Sequence, residues 1–256
     1  MRFQTLGSRE NPAILFFHAM GVTGASSERV AQHLKDRHFC VMPTSTVYCE
    51  GQTYVSKQDE LAQIEDYLAD VGIERVELVV ASSLGADLAT AFLATTSLPV
   101  GHVFFDGGQF ARIPTGTRRV MTPLLWLAIK SLWWSRGDTL KHIMWCDDDA
   151  IKPYFIEAGR ALTYANLRRQ LAESLVDEPF LALPKDLQRR TFWEFGSAED
   201  HFKYRGAVMA RYPNGNFPVF EGYDHMQYQI QDPEGFARIL ESVIERNKLP
   251  DLPFLR

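Results

Sequence analysis

The run Val76-Glu77-Leu78-Val79-Val80-Ala81-Ser82-Ser83-Leu84-Gly85-Ala86 sets a serine between small residues, where an apolar, β-branched stretch meets a helix-prone one. Ala81, Ser83 and Gly85 fill a small-x-Ser-x-small pattern. A strand that turns directly into a helix needs small neighbours at the turning residue, because backbone closes in on both sides. That turn would lift the Ser83 hydroxyl clear of a sheet and set it at a helix N-terminus, where free N–H groups face a developing negative charge. Centring the pattern on Ser82 fails, since Val80 and Leu84 would take the small positions. The plain alternative is a serine-glycine turn that caps a helix.

A serine hydroxyl attacks only when a base takes its proton. Of the seven histidines, His225 stands in Gly222-Tyr223-Asp224-His225, a loop between the last strand-like run and the last helix-like run. Loops at strand carboxyl ends are where α/β sheets hold ligands. His33, His38, His142 and His201 read as surface residues, and His102 as a core or sheet-end histidine. The base needs an acid to orient it. Gly196-Ser197-Ala198-Glu199-Asp200 follows a strand-like run and offers two carboxylates, of which Glu199 is favoured. Asp200, Asp106 and Asp224 stay open, although Asp224 adjoins the histidine and neighbouring side chains in a loop point apart.

The elements that must position these residues alternate. Strands are expected at 13–18, 39–42, 76–81 and 100–105, the second stopped by Pro43, with helices at 26–37, 56–71 and from Gly85. This order implies a mostly parallel central sheet with helices on both faces, an α/β fold. After Gly108 the character changes to helical periods and many aromatics, broken by Pro114, Pro123 and Pro153. Residues 109–186 therefore read as a helical cap inserted into a core of 1–108 and 187–256. Strand character returns at 190–195 and 217–220, with helices expected at 200–211 and 233–244, the last capped by Asp232 with Pro233 in its first turn.

Composition narrows the class. The chain has 256 residues, 46% hydrophobic and 23% charged, with a net charge of −5. That is ordinary for a folded domain and suggests neither a nucleic-acid nor a membrane partner. Cys40, Cys49 and Cys146 lack metal-ligand or disulfide spacing and read as free thiols. No leader-like or membrane-length apolar run is evident, so a cytoplasmic protein is expected. There is no GxGxxG after the first strand and no P-loop.

Phe16-Phe17-His18-Ala19-Met20-Gly21, Ala81-Ser82-Ser83-Leu84-Gly85, Gly196-Ser197-Ala198-Glu199 and Gly222-Tyr223-Asp224-His225 occur in an order that resembles the α/β-hydrolase superfamily across nearly the whole chain. The resemblance implies a nucleophile at Ser83, an acid at Glu199 and a base at His225. It also implies oxyanion donors in the backbone N–H groups of Leu84 and Met20, with His18 a structural residue of its loop. Ala19 and Ala81 depart from the usual glycines, the acid is a glutamate, and the usual N-terminal hairpin is expected to be shortened. The function implied is a serine hydrolase, a carboxylesterase on small or medium, partly apolar esters, with no cofactor or metal. A non-catalytic ligand-binding protein and an acyltransferase on the same fold are the alternatives, and the same residues could serve a thioesterase, an amidase, a C–C hydrolase or a lyase. A small-molecule substrate is the expected partner, and homo-oligomerisation is left open.

Overall fold

The computed structural model describes residues 1–108, 110, 112–145, 148–174 and 182–256. Its strands are β1 (Arg2–Leu6), β2 (Ala13–Phe17), β3 (Phe39–Thr44), β4 (Val76–Ser82), β5 (Val100–Asp106), β6 (Thr191–Gly196) and β7 (Val219–Phe220). Among the described residues they form one sheet in the order β1-β3-β2-β4-β5-β6-β7. All neighbours run parallel except β1, which pairs antiparallel with β3. The helices of seven residues or more are α1 (Lys57–Asp70), α2 (Gly85–Thr95), α3 (Thr115–Trp134), α4 (Lys152–Ala161), α5 (Tyr164–Glu173), α6 (Arg205–Arg211) and α7 (Pro233–Arg246).

The continuous apolar strands are explained by two cores, one on each face. Leu15, Phe17, Val79 and Ala81 pack into one with α1 and α2, while Ile14, Phe16, Leu78 and Val80 pack into the other with α7. Alternating side chains of one strand thus both meet apolar partners, as a covered parallel sheet requires. Two caps act as expected. Ser56 Oγ accepts from Asp59 N at 3.0 Å, and Asp232 Oδ1 accepts from Gly235 N at 2.8 Å.

Several expected boundaries shift. β3 runs through Pro43 to Thr44, because its pairing with β2 ends at Val41 and the remainder has β1 alone as neighbour. A proline fits where a ladder donor is not required. The helix expected over 26–37 shrinks to a 3₁₀ turn at Gly24–Ser27 and one α-turn at Glu28–Ala31. The helix expected over 200–211 begins as a 3₁₀ segment, Asp200–Tyr204. β1 was not read from the sequence. As an edge strand it has no clean alternation, and its register comes from β3.

Helix α3 packs on α4 and α5 to make a helical layer over the carboxyl ends of the strands. Cys40 and Cys49 are buried free thiols, and Cys146 lies outside the described residues, as do parts of the 109–186 segment.

Candidate active site

Ser83 follows the last residue of β4 and precedes α2, with φ +51°. That left-handed conformation is costly for a side-chain-bearing residue and marks a turn held by its surroundings. Ser83 N donates to Asp106 O at 3.0 Å, which ties the turn to the end of β5. A Cβ on Gly85 would lie 2.4 Å from Phe17 O, so the small position after the serine is a close approach of helix to strand. Ser82 is buried, and its Oγ accepts from Gln229 Nε2 at 3.0 Å.

His225 sits beyond β7, with Met226 after it at φ +56°. Its Nδ1–H donates to Glu199 Oε2 at 2.6 Å. Glu199 is 5% exposed, and its other oxygen accepts from Gly196 N at 3.1 Å. Gly196 lets the Tyr223–His225 loop close in, since a Cβ there would lie 2.4 Å from Tyr223 O. Burial lowers the His225 pKa, but the hydrogen bond and charge of Glu199, with Asp106 and Asp224 nearby, outweigh it and the net shift is upward. The structure thus brings Glu199 to the imidazole. Asp200 is exposed at the start of its 3₁₀ segment, and Asp224 Oδ1 accepts from the His225 backbone N–H rather than from the ring.

Asp106 is buried behind this pair and shares a hydrogen bond with Glu194, its neighbour in register on β6. Burial raises Asp106 to about 6. Burial, then the Asp106 charge, pushes Glu194 well above the usual carboxylate range, so Glu194 is the protonated donor of the pair. Two carboxyls side by side cannot both ionise without water.

The loop after β2 is held by polar contacts. His18 Nδ1–H donates to Ala19 O at 2.8 Å and its Nε2 accepts from Ser45 N at 3.1 Å. Burial lowers the His18 pKa to about 4, so the ring is neutral. Glu60 in turn accepts from Ser45 Oγ, Thr46 N and Thr46 Oγ1, each at 2.7 Å. Tyr48 Oη accepts from Gly21 N at 2.9 Å. The backbone N–H groups of Met20 and Leu84 have no hydrogen-bond partner among the described residues.

Ser83, His225, His18 and Met20 open into a cavity of about 360 Å³ between the strand ends and α3. Ser83, His225 and Met20 line it on the sheet side, and Leu125, Ile129 and Leu132 line it from α3. Trp145 Nε1 donates to His225 O at 2.9 Å and joins the layer to the histidine loop.

Two surface expectations fail. His38 is 5% exposed, at the edge of the core. His201 lies in the site, its ring edge-on to His225 with centroids 4.9 Å apart, because the 3₁₀ turn after Glu199 folds it inward. Its place two residues beyond the acid was the available signal. Gly107 also escaped notice: at φ +59°, a Cβ there would lie 2.6 Å from His225 Nδ1. Glu199, His201 and His225 bring a carboxylate and two imidazoles within 4.8 Å of one another. Tetrahedral zinc ligands stand roughly 3.3 Å apart. The 2.6 Å separation of Glu199 and His225 is therefore a hydrogen bond, not a preformed ion cage.

The strand order, the serine turn after β4 and the histidine loop after the last strand define the α/β-hydrolase fold. Solved structures agree. A protein described as an alpha/beta hydrolase family member from Desulfitobacterium hafniense superposes with TM-score 0.73 at 15% identity, covering 95% of this chain and all of that one. A hydrolase from Pseudomonas aeruginosa gives 0.73 at 11% identity over 95% and 93% of the two chains. An esterase from Exiguobacterium antarcticum gives 0.71 at 12% identity over 95% and 94%. No protein-family model and no curated protein sequence matches the chain.

Proposed function

We propose that the protein is a serine hydrolase that cleaves carboxylic esters through an acyl-enzyme. One observation carries the reading: Ser83, strained at a strand-to-helix turn, shares a cavity with a histidine whose Nδ1–H is held by a buried glutamate. With Nδ1 bound to Glu199, Nε2 is the nitrogen left to take the Ser83 proton. The hydroxyl oxygen attacks the ester carbonyl, and the N–H groups of Met20 and Leu84 receive the oxyanion. His225 then protonates the departing alcohol, and water deprotonated by His225 releases the acid. The Glu199 carboxylate holds the ring by its Nδ1 side and stabilises the imidazolium.

Several features support a partly apolar ester of small or medium size. The cavity volume suits a small molecule. Its α3 wall is aliphatic, and its polar lining includes Ser83 and His225. Residues 109–186 serve in this reading as the cap that selects the acyl or alcohol group.

A series of p-nitrophenyl esters of increasing acyl length tests the proposal. Wild-type protein should turn over the short and medium members, and Ser83→Ala and His225→Ala should each abolish turnover while the circular dichroism spectrum is unchanged. Turnover that survives in both folded variants, or no turnover of any ester by the wild type, would sink it.

A further inference from the structure

The outer face of α3 is apolar although nothing among the described residues covers it. Val120, Leu124, Leu127 and Trp134 are 66%, 63%, 51% and 55% exposed. Their spacing of four, three and seven residues puts them in one stripe about 20 Å long on the helix surface. The stripe belongs to a different face from Leu125, Ile129 and Leu132, which line the cavity. Surface hydrophobics scattered singly need no explanation, but a contiguous run on one helix does.

Charge identifies the occupant. Residues 112–145 contain six Lys or Arg and one Asp, a local charge of +5 in a chain of −5. Arg112 and Arg119 are exposed near the start of α3, and Arg136 and Lys141 beyond its end. Lys130 Nζ lies 4.8 Å over the Trp133 ring, a cation held at the rim of an aromatic. Beside the helix, α3 and α5 form a groove lined by Arg118, Arg119, Arg168 and Arg169. Arg118 is anchored on the carbonyls of Leu171 and Ala172 at 3.0 and 2.9 Å. Arg119 and Arg168 make no hydrogen bond or ion pair among the described residues and are free to meet a phosphate.

We infer that this face docks on an anionic lipid surface, the stripe entering the headgroup boundary and the arginine groove receiving lipid phosphates. An apolar helix face bordered by cations is the physical signature of interfacial binding. No described helix is long and apolar enough to cross a membrane, so α3 lies on the surface rather than spanning it. Pairing of two copies through the stripe fits less well, since a twofold contact would press the same basic rim against itself. The overall charge pointed away from membranes because it averages over an acidic remainder. If the proposed esterase reading holds, the substrate class is an amphiphilic ester whose chain resides in such a surface and passes beneath α3 to Ser83.

Flotation with phosphatidylcholine/phosphatidylglycerol vesicles, without substrate, tests the docking independently of catalysis. Wild-type protein should float with these vesicles, not with pure phosphatidylcholine, and its tryptophan emission should shift to the blue. Leu124→Ser with Leu127→Ser should weaken binding more than tenfold, and Arg119→Gln with Arg168→Gln should weaken it severalfold and flatten its salt dependence. Neither pair lines the cavity, so hydrolysis of a soluble short-chain ester should be unchanged in both, which also reports correct folding. Absence of vesicle binding by active wild-type protein would overturn the inference. So would a stripe variant that converts a dimer to a monomer in sedimentation without any vesicle binding, which would assign the stripe to a second copy. Vesicle binding by a protein inactive on every ester would retain the docking surface and remove the esterase reading alone.

Discussion

The two walls of the cavity are built differently. On the sheet side the polar groups are tied to backbone: Glu199 to Gly196 N, His18 to Ala19 O and Ser45 N, and Ser83 N to Asp106 O. On the α3 side the wall is aliphatic, and its outer surface is apolar as well. Fixed dipoles suit chemistry, which depends on orientation held before the substrate arrives. An aliphatic wall makes few directional demands and suits selection by size and polarity. The proposed division of labour is thus reaction at the strand ends and choice of substrate in the helical layer.

Substitutions on the two walls should therefore fail in different ways. The largest effect, after loss of the serine or histidine, belongs to Glu199→Gln, with kcat expected to fall on the order of 10²–10⁴-fold. Asp200→Asn should stay within about twofold; the reverse pattern would move the acid one residue along. The same variant tests the electrostatics. Because Glu199 raises the His225 pKa, and the base works neutral, the acid limb of kcat/KM in the wild type should inflect above the ordinary histidine value of 6.5. Residual activity of Glu199→Gln should inflect lower.

Gly107→Ala comes next. Its Cβ would press on His225 Nδ1 from a backbone that disfavours any side chain, so the ring must tilt. A displacement of this kind can cost roughly 10²-fold in kcat, and the same Cβ would lie 3.1 Å from Glu199 Oε2, crowding both partners of the hydrogen bond. Leu132→Ala sits on the other wall and is 1% exposed. It should lose about 2–5 kcal/mol of stability by denaturant titration. Its kinetic effect should be a raised KM for longer acyl chains and a nearly normal kcat for short ones. A large kcat loss with short esters would break the contrast between the walls.

The smallest effect is expected from Glu194→Gln, which keeps a donor toward Asp106. The folded-state pKa values of Asp106 and Glu194 lie above their unfolded values, so the native state holds more protons and the wild type loses stability as pH rises from the ordinary carboxylate range through those raised values. Glu194→Gln should flatten that decline, as read from Tm against pH, with a change of about 1 kcal/mol or less at low pH. A decline as steep as the wild type's would show that Glu194 does not titrate with a raised pKa.

How much was legible in the sequence follows the same division. The strands with two apolar faces, at 13–17, 76–82, 100–106 and 191–196, announce themselves because both faces are covered. Ser83 was legible because Gly85 has no room for a Cβ, and Glu199 because Gly196 must admit the histidine loop. His201 and Gly107 were not legible as site residues, since each acts through space on His225 rather than through a pattern along the chain. The Asp106–Glu194 pair exists only through the register of β5 on β6. The outer face of α3 was not legible, because the net charge of −5 averages away the basic residues that border it.

The central claim is that Ser83 is the nucleophile, and one measurement addresses it directly. The protein is treated with a fluorophosphonate, digested, and the adduct located by mass spectrometry. A single modification on Ser83 is expected, formed far more slowly in His225→Ala. An adduct on Ser82 or elsewhere, or none on a protein that hydrolyses esters, would contradict it.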